Sequence, residues 1–233
     1  MTSLISLLKY TMIIGNEVAM NILIACEESQ EMCKAFRELG AECYSCDIQE
    51  CSGGHPEWHI KDDAINVMKS QQWDLIIAHP PCTYLTRAGA CNIPKDPSRI
   101  EKGFIAKKFF MEFVNYAIST NTPTLIENPI PMKRFNLPEY HQLLYAWQFG
   151  ENHAKPFCLW EYNIPKIIPP VVVKPQIETY KYIYSKTGEV KSMSKWYNQC
   201  SGKDHSKKRS KTSPLVAKII ANQLYTYIKG ITK

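Results

Sequence analysis

The order of segments from residue 20 onward predicts an α/β fold: a mostly parallel, twisted sheet flanked by helices. Three observations carry this. Short apolar runs alternate with helical patterns, and a strand–helix–strand–helix order implies βαβ units. The apolar runs are continuous rather than alternating, as strands buried on both faces require. Polar and acidic residues collect directly after those runs, and in such sheets ligands bind outside the carboxyl ends of the strands.

Taken in order, NILIAC (21–26) reads as a buried strand. SQEMCKAFRELG (29–40) follows as an amphipathic helix, with Ser29 as its predicted N-cap and Gly40 as its C-cap. AECYSCD (41–47) is a second strand ending in an acid, and EWHIKDDA (57–64) is a short third strand reaching an acidic pair. AINVMKSQ is a short helix, WDLIIAH (73–79) a fourth strand, residues 100–118 a longer helix, and TPTLIENP (122–129) a fifth strand. After residue 150 the pattern loosens: 155–175 is proline-rich and partly extended, and 201–211 is a polar, basic loop. SPLVAKIIANQLYTYIKG (213–230) is an amphipathic helix, capped by Ser213, with Pro214 in its first turn and Gly230 after its end. The expected organisation is an extension (1–19), a core (20–150), a small irregular region (151–212) and a final helix packing back on the core (213–233).

At 233 residues, 45% hydrophobic and 21% charged, the chain is long enough for one domain with a full core. Nine cysteines, an odd number with no secretory signal, point to reduced thiols in a cytosol. The first 19 residues are apolar but broken by Lys9, Asn16 and Glu17, so neither a signal peptide nor a membrane span is expected. A net charge of +6 is mild and matters where it clusters, as it does in Lys203, His205, Lys207, Lys208, Arg209 and Lys211. Such a run is a candidate phosphate contact, or simply a solvated loop.

The strand ends carry the chemistry. Asp47, at the end of the second strand, is spaced to accept hydrogen bonds from a ribose diol, and Asp63, at the end of the third, from an adenine amino group; the alternative is that both cap helices or face water. The first turn, CEESQ, has no glycine, which argues against a phosphate-binding loop. A helix starting near Ser29 still offers backbone N–H groups to a carboxylate. After the fourth strand, Pro80 and Pro81 fix φ and remove two donors, making a stiff bend that presents Cys82. Near helix N-termini a thiol pKa falls, and the thiolate is the reactive form; the other eight cysteines are read as structural. Glu127 ends the neighbouring strand, where a partly buried carboxyl can donate a hydrogen bond or proton to a heterocycle nitrogen. Cys43-x2-Cys46-x4-Cys51-x3-His55 has zinc-like spacing, but a separation of three along a strand points Cys43 and Cys46 to opposite faces, so no metal is expected.

In this order, NILIACEESQ, CYSCD, HIKDDA, WDLIIAHPPC and LIENP resemble the cofactor-binding and catalytic half of the cytosine-C5 DNA methyltransferases, especially the small phage- and prophage-type members. The likeness covers about 21–130 and continues more loosely through KPFCLW and NIPKIIPP to RSKTSPLVAKIIANQL. It implies a Rossmann-like methyltransferase fold with S-adenosylmethionine as cofactor. Cys82 would attack C6 of the pyrimidine, and Glu127 would contact N3 and the exocyclic amine. Cys26, Glu27, Ser29, Asp47, Ile48, Asp63 and Pro80 would hold the cofactor. Pro81, Asn128, Lys155, Lys207, Lys208 and Arg209 would contact the DNA substrate, whose base must be flipped out if it is in a duplex.

The sequence departs from that family in three places. Glu-Asn-Pro stands where Glu-Asn-Val is usual. The arginine-rich strand motif is replaced by HAKPFCLW, with His153 or Lys155 as substitutes. Only about 80 residues, 131–211, are left for a recognition domain. Relaxed specificity, single strands or nucleotides therefore stay open as substrates. The competing readings are an adenine-N6 or cytosine-N4 methyltransferase, disfavoured by His79 and Cys82 around the prolines, and a non-catalytic anti-restriction or nucleic-acid-binding protein of the same fold.

Overall fold

The computed structural model describes residues 20–184, 187–199 and 209–231. The proposed extension 1–19 and the basic residues Lys203, His205, Lys207 and Lys208 lie outside the described residues. In chain order the elements are β1 (Asn21–Ala25), α1 (Glu31–Glu38), β2 (Glu42–Asp47), β3 (His59–Lys61), α2 (Ala64–Ser70), β4 (Leu75–Ala78), α3 (Arg99–Thr120), β5 (Thr124–Asn128), β6 (Gln142–Tyr145), β7 (Pro156–Tyr162), β8 (Thr179–Ile183), β9 (Val190–Ser194), α4 (Trp196–Gln199) and α5 (Pro214–Ile231).

Seven strands form one sheet in the order β3-β2-β1-β4-β5-β7-β6, while β8 and β9 pair separately as a hairpin. The first five strands of that order are mutually parallel, with Ala25 level with Cys46 and Ala78, and Ala78 level with Ile126. β7 runs antiparallel to both β5 and β6. This α/β sheet is compatible with a Rossmann-like fold, whose order 3-2-1-4-5-6 it matches apart from the inserted antiparallel strand.

Alternation along each strand divides the core into two layers. Ile22, Ile24, Leu75, Ile77 and Leu125 face α1 and α5, where Phe36, Ile220 and Leu224 cover them. Leu23, Ala25, Ile76, Ala78 and Ile126 face α2 and α3, against Met68, Phe110 and Phe113. Burying both faces is why these strands read as unbroken apolar runs. Cys43 belongs to the first layer and Cys46 to the second, so the two thiols of the zinc-like spacing point apart.

Several local expectations need correcting. α1 starts at Glu31 rather than Ser29; Gln30 precedes it in the left-handed region (φ 60°) and makes no side-chain cap. Gly40, at φ +89°, follows the helix in the conformation that favours glycine. The third strand is only three residues long, because Pro56–Trp58 forms a 3-10 turn ahead of it. Gly230 lies inside α5, not after it. β7, beyond residue 150, is an interior strand of the sheet. Among the described residues, no helix is long and apolar enough to cross a membrane.

Candidate active site

The strand order reverses between β1 and β4, and a crevice outside their carboxyl ends is where such sheets bind ligands. Strand parity decides which side chains enter it. His79 lies two residues after Ile77, Glu127 two after Leu125, and Lys155 two before Phe157; all three apolar residues belong to the layer under α1 and α5. Successive side chains alternate, so His79, Glu127 and Lys155 share that face. Together with His153, Trp196 and Lys211 they line a cavity of about 310 Å³ that reaches the first turn of α5.

His79 and Glu127 meet directly. The imidazole Nδ1 lies 3.1 Å from Glu127 Oε2, with side chains only 14% and 22% exposed. Burial pulls the His79 pKa down, but the hydrogen bond and charge of Glu127, with Glu27 adding, outweigh it, and the net shift is upward despite Lys155. Nε2 of His79 is buried with no protein partner.

The segment carrying Cys82 is laced to the segment carrying Glu127. Asn128, 1% exposed, donates from Nδ2 to the Pro80 carbonyl at 2.6 Å. The carbonyl of Cys82 accepts from the Leu85 and Thr86 amides at 3.1 and 3.2 Å and from the Thr86 hydroxyl at 3.2 Å. Met132 N–H donates to Leu85 at 2.8 Å and Arg87 N–H to Ile130 at 3.0 Å, tying the two loops together. Pro80 is buried, Pro81 is exposed and Cys82 is half-buried between them and this turn. Asn128, expected to touch substrate, therefore acts on the presenting loop. The pKa expectation for Cys82 is reversed: burial, then the charge of Glu127, push the thiol up, and Lys155 pulls the other way without overcoming them. The structural thiols are more strongly suppressed; burial pushes Cys46 and Cys158 up to about 12.

The glycine-free first turn is held by substitutes. Cys26 and Gln30 both adopt positive φ, 61° and 60°. Gln30, fully buried, donates from Nε2 to the His55 carbonyl at 2.8 Å and accepts the His55 amide at 3.0 Å. Gly53 completes the turn from the loop after β2: a Cβ there would sit 2.5 Å from the Ser29 carbonyl oxygen. Glu27, expected at the cofactor, caps α1 instead; Met32 and Cys33 donate their amides to its two oxygens at 2.7 and 3.2 Å. That carboxylate fills the amides that were expected to receive a ligand anion. Burial raises the Glu27 pKa, against the charge of His79 and the two amides. Ser29 is buried in the same turn.

The acids of the rim converge further along the sheet edge. Burial first, then the charges of Asp47, Cys46 and Asp63, hold the Cys26 thiol well above its ordinary pKa, so these groups share one neighbourhood. Asp47 takes the Gln49 amide on Oδ1 at 2.9 Å, and Ile48 beside it is 72% exposed. Asp63 caps α2, accepting the Ile65 amide at 2.7 Å. Its carboxylate is nevertheless exposed at the same edge.

Of the basic residues, Lys155 donates to the Arg209 carbonyl at 2.6 Å, and Arg209 donates to the Tyr197 carbonyl at 3.0 Å while lying over the Tyr197 ring. Arg209 thus faces the protein, and it secures the segment that leads into α5. Reading for motifs gave His79 no role in the site and named His153 only as a substitute for the absent arginine motif; both line the cavity, with Trp196. The signal for His79 was its parity with Ile77 at the end of β4. His153 is stacked on Trp196 at 4.1 Å. No protein-family model matches the chain, and no curated protein matches it.

Proposed function

We propose that the chain is an S-adenosylmethionine-dependent methyltransferase that acts on C5 of cytosine in DNA through a covalent Cys82 adduct. One observation carries this reading. A half-buried thiol on a proline-stiffened loop is tied to the strand end that bears Glu127, with Lys155 on the same face. A nucleophile, a hydrogen-bonding acid and a cation at one strand edge suit addition to an electron-poor ring, where negative charge builds as the bond forms.

The cofactor residues fit in part. Asp47 and the exposed Ile48 offer an acceptor and an apolar surface for a nucleoside, and Asp63 adds a second carboxylate close by. Glu27 does not fit, since both of its oxygens are spent on α1. S-adenosylmethionine would supply an electrophilic methyl group.

The protein's residues would work as follows. Cys82 Sγ bonds to C6 and gives up its proton, while N3 gains one beside Glu127, so the addition is neutral in protons. After the methyl arrives at C5, the C5 proton leaves to solvent, the S–C6 bond breaks, and the N3 proton returns to sulfur, which restores the aromatic ring and the thiol side chain. Because the Cys82 pKa is raised, thiolate formation is coupled to binding of the base rather than complete beforehand.

The test is tritiated methyl transfer from S-adenosylmethionine to duplex DNA, single-stranded DNA, RNA and free nucleotides. Incorporation at C5 of cytosine is expected in DNA. Absence of incorporation into all four would overturn the enzyme reading in favour of a binding protein.

A further inference from the structure

β4 lies between β1 and β5, so the residue that leaves its end has a strand end on either side. His79 is that residue. On the β5 side, Nδ1 reaches Glu127 Oε2 at 3.1 Å. On the β1 side its backbone amide donates to Ala25 at 2.9 Å, and the buried carboxylate of Glu27 acts on it through charge. Both Glu27 oxygens are engaged by the Met32 and Cys33 amides, so the imidazole is bonded to one acid and only attracted by the other. The opposing charge is Lys155, and Glu31, Glu151, His153 and Lys211 also border the cavity.

That geometry bears on Glu127. A carboxylate at a strand end swings about its side-chain torsions unless something holds it. His79 holds Oε2, and the charge of the same carboxylate acts on the Cys82 thiol. We propose that His79 is a positioning residue that fixes Glu127 for contact with a pyrimidine base and acts through Glu127 rather than on the base. This rests on the cytosine-C5 reading for its substrate, but the pair itself stands on the structure alone.

Two measurements separate the inference from that reading. The first needs no activity: ¹⁵N chemical shifts of His79, followed from pH 5 to 9 in the whole protein and in Glu127→Gln. His79 should stay protonated above the ordinary histidine range in the native protein and titrate earlier in the variant. Native-like titration in Glu127→Gln would overturn the pairing.

The second measures covalent trapping and methyl transfer in His79→Leu and His79→Asn. An asparagine amide can stand near the position of Nδ1 and donate to Glu127, whereas leucine cannot. The expected result is a loss of roughly tenfold to a hundredfold in kcat for His79→Leu, as misplacement of a catalytic group commonly costs. KM for S-adenosylmethionine should be unchanged, and His79→Asn should recover most of the rate. A folded His79→Leu variant that turns over at the native rate would overturn the role. If the native protein transfers no methyl group to any substrate, the methyltransferase reading fails, and the shift titration still decides the pairing.

Discussion

The proposed attack by Cys82 requires loss of its proton, yet burial and the charge of Glu127 hold that proton on. In the free protein, iodoacetamide should alkylate Cys82 slowly at neutral pH, with the rate climbing only as the pH passes above the ordinary thiol value. Peptide mapping across pH 7 to 10 would measure this, and full alkylation at pH 7 would contradict it. Glu27 makes the companion case. Glu27→Ala leaves the Met32 and Cys33 amides buried without an acceptor, which should cost about 1–3 kcal/mol in thermal or urea unfolding. Its raised pKa gives the sign with pH: the contribution of this group to stability is full below the unfolded carboxyl value and is lost as pH rises through the folded value. A Glu27→Ala protein as stable as the native one would remove the capping role. Cys82 and Glu127 were legible as residues because each follows an apolar run. The cap was not, because nothing in CEESQ signals that Gln30 turns left-handed and hands the helix start to Glu27.

Among the elements, α3 depends on a glycine that no motif announces. A Cβ at Gly103 would sit 2.1 Å from the ring of Phe135, which is fully buried and packed edge-on against Phe104. Gly103→Ala should therefore destabilise the protein by about 1–3 kcal/mol, although alanine is the better helix former. An unchanged unfolding midpoint would mean that the ring gives way freely.

The β8–β9 hairpin has a different character. Tyr180 and Tyr182 share one face of β8, Tyr184 follows its end, Lys191 stands opposite Tyr182, and its ammonium lies 4.1 Å from the Tyr184 ring centroid. Neither core layer includes these tyrosines. If the region between β7 and α5 binds the substrate strand, Tyr182→Ala with Lys191→Ala should weaken binding of labelled oligonucleotide several-fold and flatten its salt dependence. Fluorescence anisotropy over a salt series checks this; unchanged binding assigns the hairpin elsewhere. The strands of the parallel half were legible from their unbroken apolar runs. β7 was recognised only as partly extended, because Pro156 opens it and its antiparallel place between β5 and β6 depends on long-range pairing.

Across the whole molecule, charge is segregated. Residues 166–211 carry eleven Lys and Arg against three Asp and Glu, whereas the rest of the chain is slightly acidic. A basic segment of this kind suits a polyanion, and the cavity with His79, Glu127 and Lys155 reaches the first turn of the helix that follows the segment. The fold class followed from segment order, and the position of the rim followed from the parallel sheet. What stayed hidden was the partnership of groups from different strands: His79 with Glu127, Lys155 with the Arg209 carbonyl, Trp196 with His153. Those depend on which strands are neighbours, and β7 comes beside β5 only in the folded sheet.

The proposed chemistry is a covalent bond from Cys82 to a pyrimidine. It is tested most directly by mass spectrometry of the protein incubated with S-adenosylmethionine and an oligonucleotide containing 5-fluorocytosine. The expected result is an adduct that maps to Cys82, absent in Cys82→Ser. Methyl transfer retained by Cys82→Ser, or an adduct mapping to another residue, would contradict it.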